Sequence, residues 1–195
     1  MIYKLKKIMQ IAAVLLFTLT NSIWAHCDSI EGPVVKSAVE ALNSGNINHV
    51  LIWIPAESEN ELKSLFQKVN NVRNINEDVR ALADLYFFET VVRIHRMGEG
   101  VGYTGLKESE FKPEEGIEAA DKAIQNNSIK EILSLVDETH HKKIHHYFEE
   151  LQSLKNFDVN NVDAGREYVA SYVHFIHYIE NLFSGKTGTF EHHGH

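Results

Sequence analysis

The sequence predicts an all-α protein, an antiparallel helical bundle with one central buried helix. Beyond residue 32, apolar residues recur at three- and four-residue spacing in most segments, which is the period of an amphipathic helix. No alternating strand pattern of useful length, internal repeat or linker-like composition interrupts them. Helices with one apolar stripe bury it against one another, so a single bundle is the simplest architecture.

Residues 1–25 have the features of a secretory signal. Three lysines lie among the first seven residues, an apolar stretch of 12 residues follows ("IMQIAAVLLFTL"), and "NSIWA" ends in a small residue. The apolar stretch is shorter than the ~20 residues of a spanning helix. We therefore expect export to the periplasm or medium and cleavage before His26. Cleavage after Ser22 is an alternative, and lipidation of Cys27 is disfavoured because His26 is not small.

We expect three parts along the chain: a signal peptide at 1–25, a helical bundle domain at 26–183 and a flexible His-rich tail at 184–195. Removing the signal takes away three lysines and no acid, so the net charge changes from −8 to −11. An acidic surface argues against nucleic acid as a partner, because phosphate binding needs clustered cations. No membrane contact is expected after processing, and assembly into a homo-oligomer is left open.

The first helices follow from their end signals. Pro33 and Gly45 predict a short first helix between them. Residues 48–58, "NHVLIWIPAES", are ambiguous between a short helix and an extended segment. Ser58 and Glu61 form a capping box. They precede a helix with apolar residues at Leu62, Leu65, Phe66, Val69 and Val72.

A helix over 76–97 is apolar nearly all round, which is typical of a helix enclosed by its neighbours. Its residues Glu89 and Arg93 have i,i+4 spacing, and we predict a buried ion pair between them. The alternative is that Glu89 or His95 is a metal ligand in an internal site. The two are about 240° apart around the helix axis, so one helix cannot direct both at one ion.

Three further segments complete the bundle. Residues 113–124 ("PEEGIEAADKAI") predict a short helix, and a capping box of Ser128 and Glu131 predicts a long one through Leu151. Residues 162–183 predict the final helix. The Gly-rich loop at 97–113 lacks the Lys-Ser/Thr ending of a phosphate loop, so nucleotide binding is not expected.

The final helix contains two histidines, His174 and His177, at i and i+3. They could hold one metal ion between them, although this spacing also occurs on solvated faces. His141 and His145 have i,i+4 spacing, but flanking lysines favour a solvated surface. The "EHHGH" tail is expected to bind transition metals only adventitiously.

Cys27 is the only cysteine of the chain, so it cannot form an internal disulfide. Cleavage before His26 would expose an α-amine with a pKa of about 8 next to the imidazole, the Cys27 amide and the Cys27 thiolate. These groups can chelate one ion. Planar nitrogen and sulfur coordination suits nickel(II) or copper(II) better than zinc.

At this point "HCDSIEG" resembles the metal-binding hook of nickel superoxide dismutases, small four-helix proteins whose mature chains begin His-Cys-Asp. The resemblance implies that the amine and imidazole of His26 and the amide and thiolate of Cys27 are ligands. The second cysteine of the hook corresponds to Glu31 here, and its proline to Ile30. Separately, "FFETVVRIHRMGEG", "YTGLK" and "AGREYV" make the mature chain similar to an uncharacterised family of exported bacterial proteins, which implies one ordered domain.

The sequence therefore predicts an exported metal-binding helical protein with a nickel or copper site at its processed N-terminus, and the hook resemblance adds superoxide dismutation as an expected activity. Metal capture or delivery without catalysis is an alternative function. A second alternative is an interaction module in which Cys27 pairs with the thiol of a partner. The candidate metal ligands are His26, Cys27, Glu31, Glu89, His95, His174 and His177.

Overall fold

The computed structural model describes residues 27–107 and 115–183, and these ranges confirm the all-α prediction. The expected signal peptide at 1–25, His26 and the expected His-rich tail at 184–195 lie outside the described residues. The described ranges contain one short 3-10 helix, Ala56–Ser58, and eight α-helices. The α-helices are α1 Pro33–Ser44, α2 Asn48–Leu51, α3 Glu59–Val72, α4 Glu77–Gly98, α5 Glu115–Asn126, α6 Lys130–Leu135, α7 Glu138–Leu154 and α8 Val162–Phe183.

The helices pack as two groups that share one apolar core. In the first group α4 lies against α1 and α3, and in the second α8 lies against α5 and α7. The core contains fully buried side chains from both, among them Phe87 of α4 and Phe175 of α8. Trp53, which follows α2, joins the groups by an edge contact with the ring of Tyr172, at 5.6 Å between centroids.

Helix ends explain why several elements occur where the sequence predicts them. Pro33 opens α1 in its first turn, and Gly45 closes it with φ +74°, a left-handed conformation that glycine adopts without strain. The Asn76 side chain accepts a hydrogen bond of 2.8 Å from the Val79 N–H and so caps α4. None of the helices within the described residues has the length and apolarity needed to span a membrane.

The prediction of one long helix through Leu151 is wrong. Helix α6 ends at Leu135, Val136 is extended (φ −125°, ψ 159°), and α7 begins at Glu138. The Asp137 side chain caps the new helix by accepting a hydrogen bond of 2.9 Å from the Thr139 N–H. Apolar spacing continued across the break, so periodicity alone did not show it.

Helix α4 is enclosed over its C-terminal half only. Phe87, Val91 and Ile94 are buried, whereas Leu82 and Tyr86 of the N-terminal half are exposed. The packed neighbours α1 and α3 leave the outer face of that half uncovered. The prediction of a helix buried along its whole length is therefore wrong for residues 77–86.

The predicted buried pair of Glu89 and Arg93 is also wrong. Arg93 bonds instead to Glu61 of α3, at 2.8 Å, and both side chains are substantially exposed. Glu89 accepts a hydrogen bond from the Tyr103 hydroxyl in the following loop. Partners outside the helix replace the i,i+4 contact because α3 and the loop both lie within reach.

Candidate metal centre

The N-terminal segment, residues 27–32, is held on the bundle by backbone hydrogen bonds to the loop after α4. The Lys107 N–H donates to the Asp28 carbonyl at 2.8 Å, and the Ile30 N–H donates to the Lys107 carbonyl at 3.0 Å. Residues Ser29 and Lys107 form an isolated parallel bridge. This pairing fixes Cys27 and Asp28, whose side chains are buried.

The last turn of α4 supplies the next two groups. His95 and Glu99 have i,i+4 spacing and therefore lie on the same face of the helix. Glu99 follows the final residue of the helix, and its N–H still bonds to the His95 carbonyl at 3.1 Å. The Trp53 ring meets the His95 imidazole edge-on, which helps to fix the ring orientation.

Cys27, His95 and Glu99 bring their donor atoms together. Each offers one ligand atom, and within the described residues these three atoms all lie within 4.8 Å of one another. The Nε2 of His95 is 3.4 Å from the Oε1 of Glu99. The exposed fractions are 5% for Cys27, 1% for His95 and 4% for the Glu99 side chain, so the group is almost closed to solvent.

A backbone carbonyl sets the tautomer of His95. Its Nδ1 lies 2.9 Å from the Trp53 carbonyl oxygen, which can only accept, so Nδ1 carries the proton. In the neutral ring Nε2 then presents a lone pair toward Glu99. Neither His95 Nε2 nor Glu99 Oε1 makes a hydrogen bond in the described structure. A ring held this way at its second nitrogen is the usual arrangement of a metal-binding histidine.

Arg96 lies between the two buried carboxylates beside this group. Its Nη1 donates to Glu99 Oε2 at 2.8 Å, and its Nε is 3.2 Å from Asp28 Oδ1. One oxygen of Glu99 is therefore tied to the guanidinium, and the other is turned toward His95 and Cys27. Arg96 thus determines which oxygen of Glu99 is available.

The electrostatic environment keeps the Cys27 thiol protonated in the absence of a cation. Burial raises the pKa of Cys27 well above its ordinary value, and the negative charge of Glu99 raises it further, while Arg96 opposes both. Burial also raises the pKa of Asp28, again against the effect of Arg96. A metal ion would reverse this balance, because a coordinated thiol loses its proton.

Helix α8 reaches the group from the other side. The Nε2 of His177 is 4.0 Å from Glu99 Oε1, and the side chain is 12% exposed. Burial lowers the pKa of His177 to about 4, so the ring is neutral near pH 7. Glu180, one turn further on, is also buried. His174 is half-buried, and neither His174 nor His177 is among the three grouped donors.

The remaining candidate ligands lie elsewhere or outside the described residues. His26 precedes them, Glu31 is exposed, and Glu89 contacts Tyr103. The Nε2 of His141 lies 3.0 Å from the Leu133 carbonyl oxygen. His145 is exposed on α7.

Sequence reasoning missed three residues of this centre: Asp28, Arg96 and Glu99. The i,i+4 spacing of His95 and Glu99 is the signal that could have indicated Glu99. Asp28 and Arg96 gave no such signal, because their roles depend on the fold.

No curated protein and no solved structure matches this chain. The comparisons give no support to the resemblance of "HCDSIEG" to the nickel superoxide dismutase hook. A family of unknown function (DUF6448) matches residues 31–178, a range that contains His95, Glu99 and His177 and begins after Cys27. The match spans most of the sequence, which confirms the expected relation to an uncharacterised family, and the chain belongs to the family of unknown function DUF6448.

Proposed function

We propose that this protein binds one transition-metal ion through Cys27, His95 and Glu99 and retains it. The observation that carries the proposal is the convergence of three buried donor atoms from two separate parts of the chain. Buried polar atoms are normally hydrogen-bonded, and unsatisfied ones in a native fold need an explanation. A bound cation explains His95 Nε2 and Glu99 Oε1 together.

Electrostatics support the same conclusion. A neutral imidazole lone pair and a carboxylate oxygen at 3.4 Å repel each other unless a proton or cation lies between them. With a thiolate at Cys27, the centre would contain three negative charges: that of the thiolate and those of the Asp28 and Glu99 carboxylates. Arg96 balances only one of them. A divalent cation would balance the remaining two charges.

The spacing of the donors bears on the identity of the ion. Two ligands ~2.1 Å from an ion at the tetrahedral angle lie roughly 3.4 Å apart, which is the separation of His95 Nε2 and Glu99 Oε1. A planar site would bring neighbouring ligands closer. Zinc is therefore the first ion to test. Nickel or copper is the ion expected if the amine of His26 and the amide of Cys27 also bind.

Retention is favoured over turnover. A substrate such as superoxide must reach the ion, whereas the three donors are almost completely buried. Burial of Cys27 also speaks against the interaction module, because a partner thiol would need access to its sulfur. Capture and retention of a metal ion in an exported protein, processed before His26, is the function that this site supports best.

Metal analysis tests the proposal. The processed protein, beginning at His26, is loaded separately with zinc, nickel and copper, dialysed and assayed for metal per chain. We expect one ion per chain, and its loss in Cys27→Ser, His95→Gln and Glu99→Gln. Glu89→Gln and His141→Ala are matched controls that should keep it, because neither residue belongs to the centre.

Two results would count against the proposal. Equal metal content in Cys27→Ser and the unchanged protein would show that Cys27 is not a ligand and would contradict the proposed site. Superoxide removal well above that of the free metal would favour dismutation over retention. Intact-mass analysis of the mature protein checks the expected start at His26.

A further inference from the structure

We infer that His177 of α8 is the fourth ligand of this centre, so that four protein donors enclose the ion and join the two helix groups. The inference rests on the proposed metal site at Cys27, His95 and Glu99. It adds a ligand from the far end of the chain and specifies a closed, four-coordinate centre.

The position of Glu99 Oε1 is the first support. This oxygen lies between two imidazole nitrogens, 3.4 Å from His95 Nε2 and 4.0 Å from His177 Nε2. Neighbouring ligands of a tetrahedral ion are roughly 3.4 Å apart, so the distance from His177 Nε2 to Glu99 Oε1 is about half an ångström too long, and His177 must also approach the other two donors, with which it is not grouped. Rotation about the side-chain torsions of His177 is the movement that ligation requires.

The setting of His177 is the second support. Its side chain is only 12% exposed. Ile176 and Ile179, close to it in the sequence of α8, are buried. Because α8 packs against α5 and α7, its backbone holds the ring in place without a mobile loop. Rigid helices position ligands more precisely than loops do.

Two other histidines compete for the fourth position. His174 lies one turn earlier on α8, whereas the Nε2 of His177 is 4.0 Å from Glu99 Oε1. His26 precedes Cys27 directly, but chelation by its amine and the Cys27 amide would impose a planar geometry. The 3.4 Å separation of His95 Nε2 and Glu99 Oε1 fits a tetrahedral ion better, which favours His177.

A closed centre has a chemical consequence. Structural zinc sites have four protein ligands, whereas catalytic sites keep one position open for water or substrate. Ligation by His177 would fill that position. The protein would then hold its ion without activating water.

Cobalt(II) substitution tests the inference with a spectroscopic readout. Tetrahedral cobalt gives intense visible bands, and a cobalt–thiolate bond gives a charge-transfer band in the near ultraviolet. We expect both in the unchanged full-length protein. In His177→Ala, water should enter and the visible bands should weaken, while the thiolate band remains. Affinity should fall by at least about tenfold, the lower limit seen even for groups that only support a ligand.

Three control variants make the test specific. His174→Ala should match the unchanged protein in spectrum and affinity, as should His26→Ala. His177→Cys should keep the tetrahedral bands and give roughly twice the thiolate charge-transfer intensity, because a second sulfur now binds. Circular dichroism of every variant in chelator checks the fold, and a gain of signal in His177→Cys cannot come from misfolding.

The outcomes separate the two proposals. If cobalt binds with its thiolate band but His177→Ala leaves spectrum and affinity unchanged, His177 is not a ligand. The same conclusion follows if His26→Ala alone removes the tetrahedral bands, or if His177→Cys adds no charge-transfer intensity. If the unchanged protein binds no cobalt and shows no thiolate band, the metal site itself is wrong.

Discussion

Arg96 donates to Glu99 at 2.8 Å, and both side chains are almost completely buried. A neighbouring arginine on the same helix, Arg93, makes an equally short contact with Glu61, but in a substantially exposed setting. The two pairs have the same length and differ in solvent exposure. They therefore allow the energetic effect of burial to be measured within one helix.

We predict that Arg96→Gln lowers the free energy of unfolding by roughly 3–5 kcal/mol, because it leaves the carboxylates of Asp28 and Glu99 buried without their cation. Arg93→Gln should cost less than about 1 kcal/mol. Denaturant unfolding in the presence of chelator measures both values. Equal losses in the two variants would contradict the contrast in burial.

Metal binding should stabilise the fold by an amount that grows with the logarithm of the free metal concentration divided by Kd. An ion that binds only the folded chain adds about 2.7 kcal/mol at 100 times its Kd. Thermal unfolding with and without excess zinc measures this shift. His95→Gln should abolish the shift, whereas His141→Ala should keep it. An equal shift in His95→Gln would assign the stabilisation to ions bound elsewhere.

Without metal, stability should fall at alkaline pH. The folded-state pKa of Cys27 is raised above its ordinary value of 9.0, so the folded chain holds the thiol proton more tightly than the unfolded chain does. The resulting stabilisation is fully present below that ordinary value and is lost as pH rises above it. The slope for one group approaches about 1.4 kcal/mol per pH unit. Cys27→Ala in chelator should flatten this slope, and an unchanged slope would show that other groups cause it.

A glycine in α8 tests the contact between the helix groups. A Cβ atom on Gly165 would lie 2.3 Å from Cγ2 of Ile52, which is closer than two carbons can approach. Alanine is normally the better helix former, yet Gly165→Ala should destabilise the fold by about 1–3 kcal/mol through overpacking. Gly102→Ala is the control, because nothing lies within 4 Å of its Cβ position. A stabilised Gly165→Ala variant would show that α8 is not packed this closely.

Most helices could be predicted from the sequence, because the apolar period and the end signals act locally. Pro33 and Gly45 bound α1 as expected. The break at Val136 could not be predicted, since apolar side chains occupy the expected positions on both sides of it. The exposure of the N-terminal half of α4 likewise depends on how far the neighbouring helices extend. The apolar period of α4 gives no information about that length.

Several residues of the candidate site could be predicted from the sequence, but their position next to one another could not. Cys27, His95 and His177 all stood out by residue type and spacing. Their association depends on pairing between the N-terminal segment and Lys107 and on the docking of α8, which are contacts distant in sequence. Glu99 was missed because an acidic residue just after a helix is common on protein surfaces.

The separation of Cys27 and His177 along the chain also bears on the order of folding. Contacts between residues far apart in sequence form late, since the chain must first close a long loop. A metal centre that joins Cys27 to His177, as proposed above, is complete only when α8 has docked. Under the proposed ligation by His177, tight metal binding would occur only in chains that have finished folding, and a partly folded chain would hold the ion weakly.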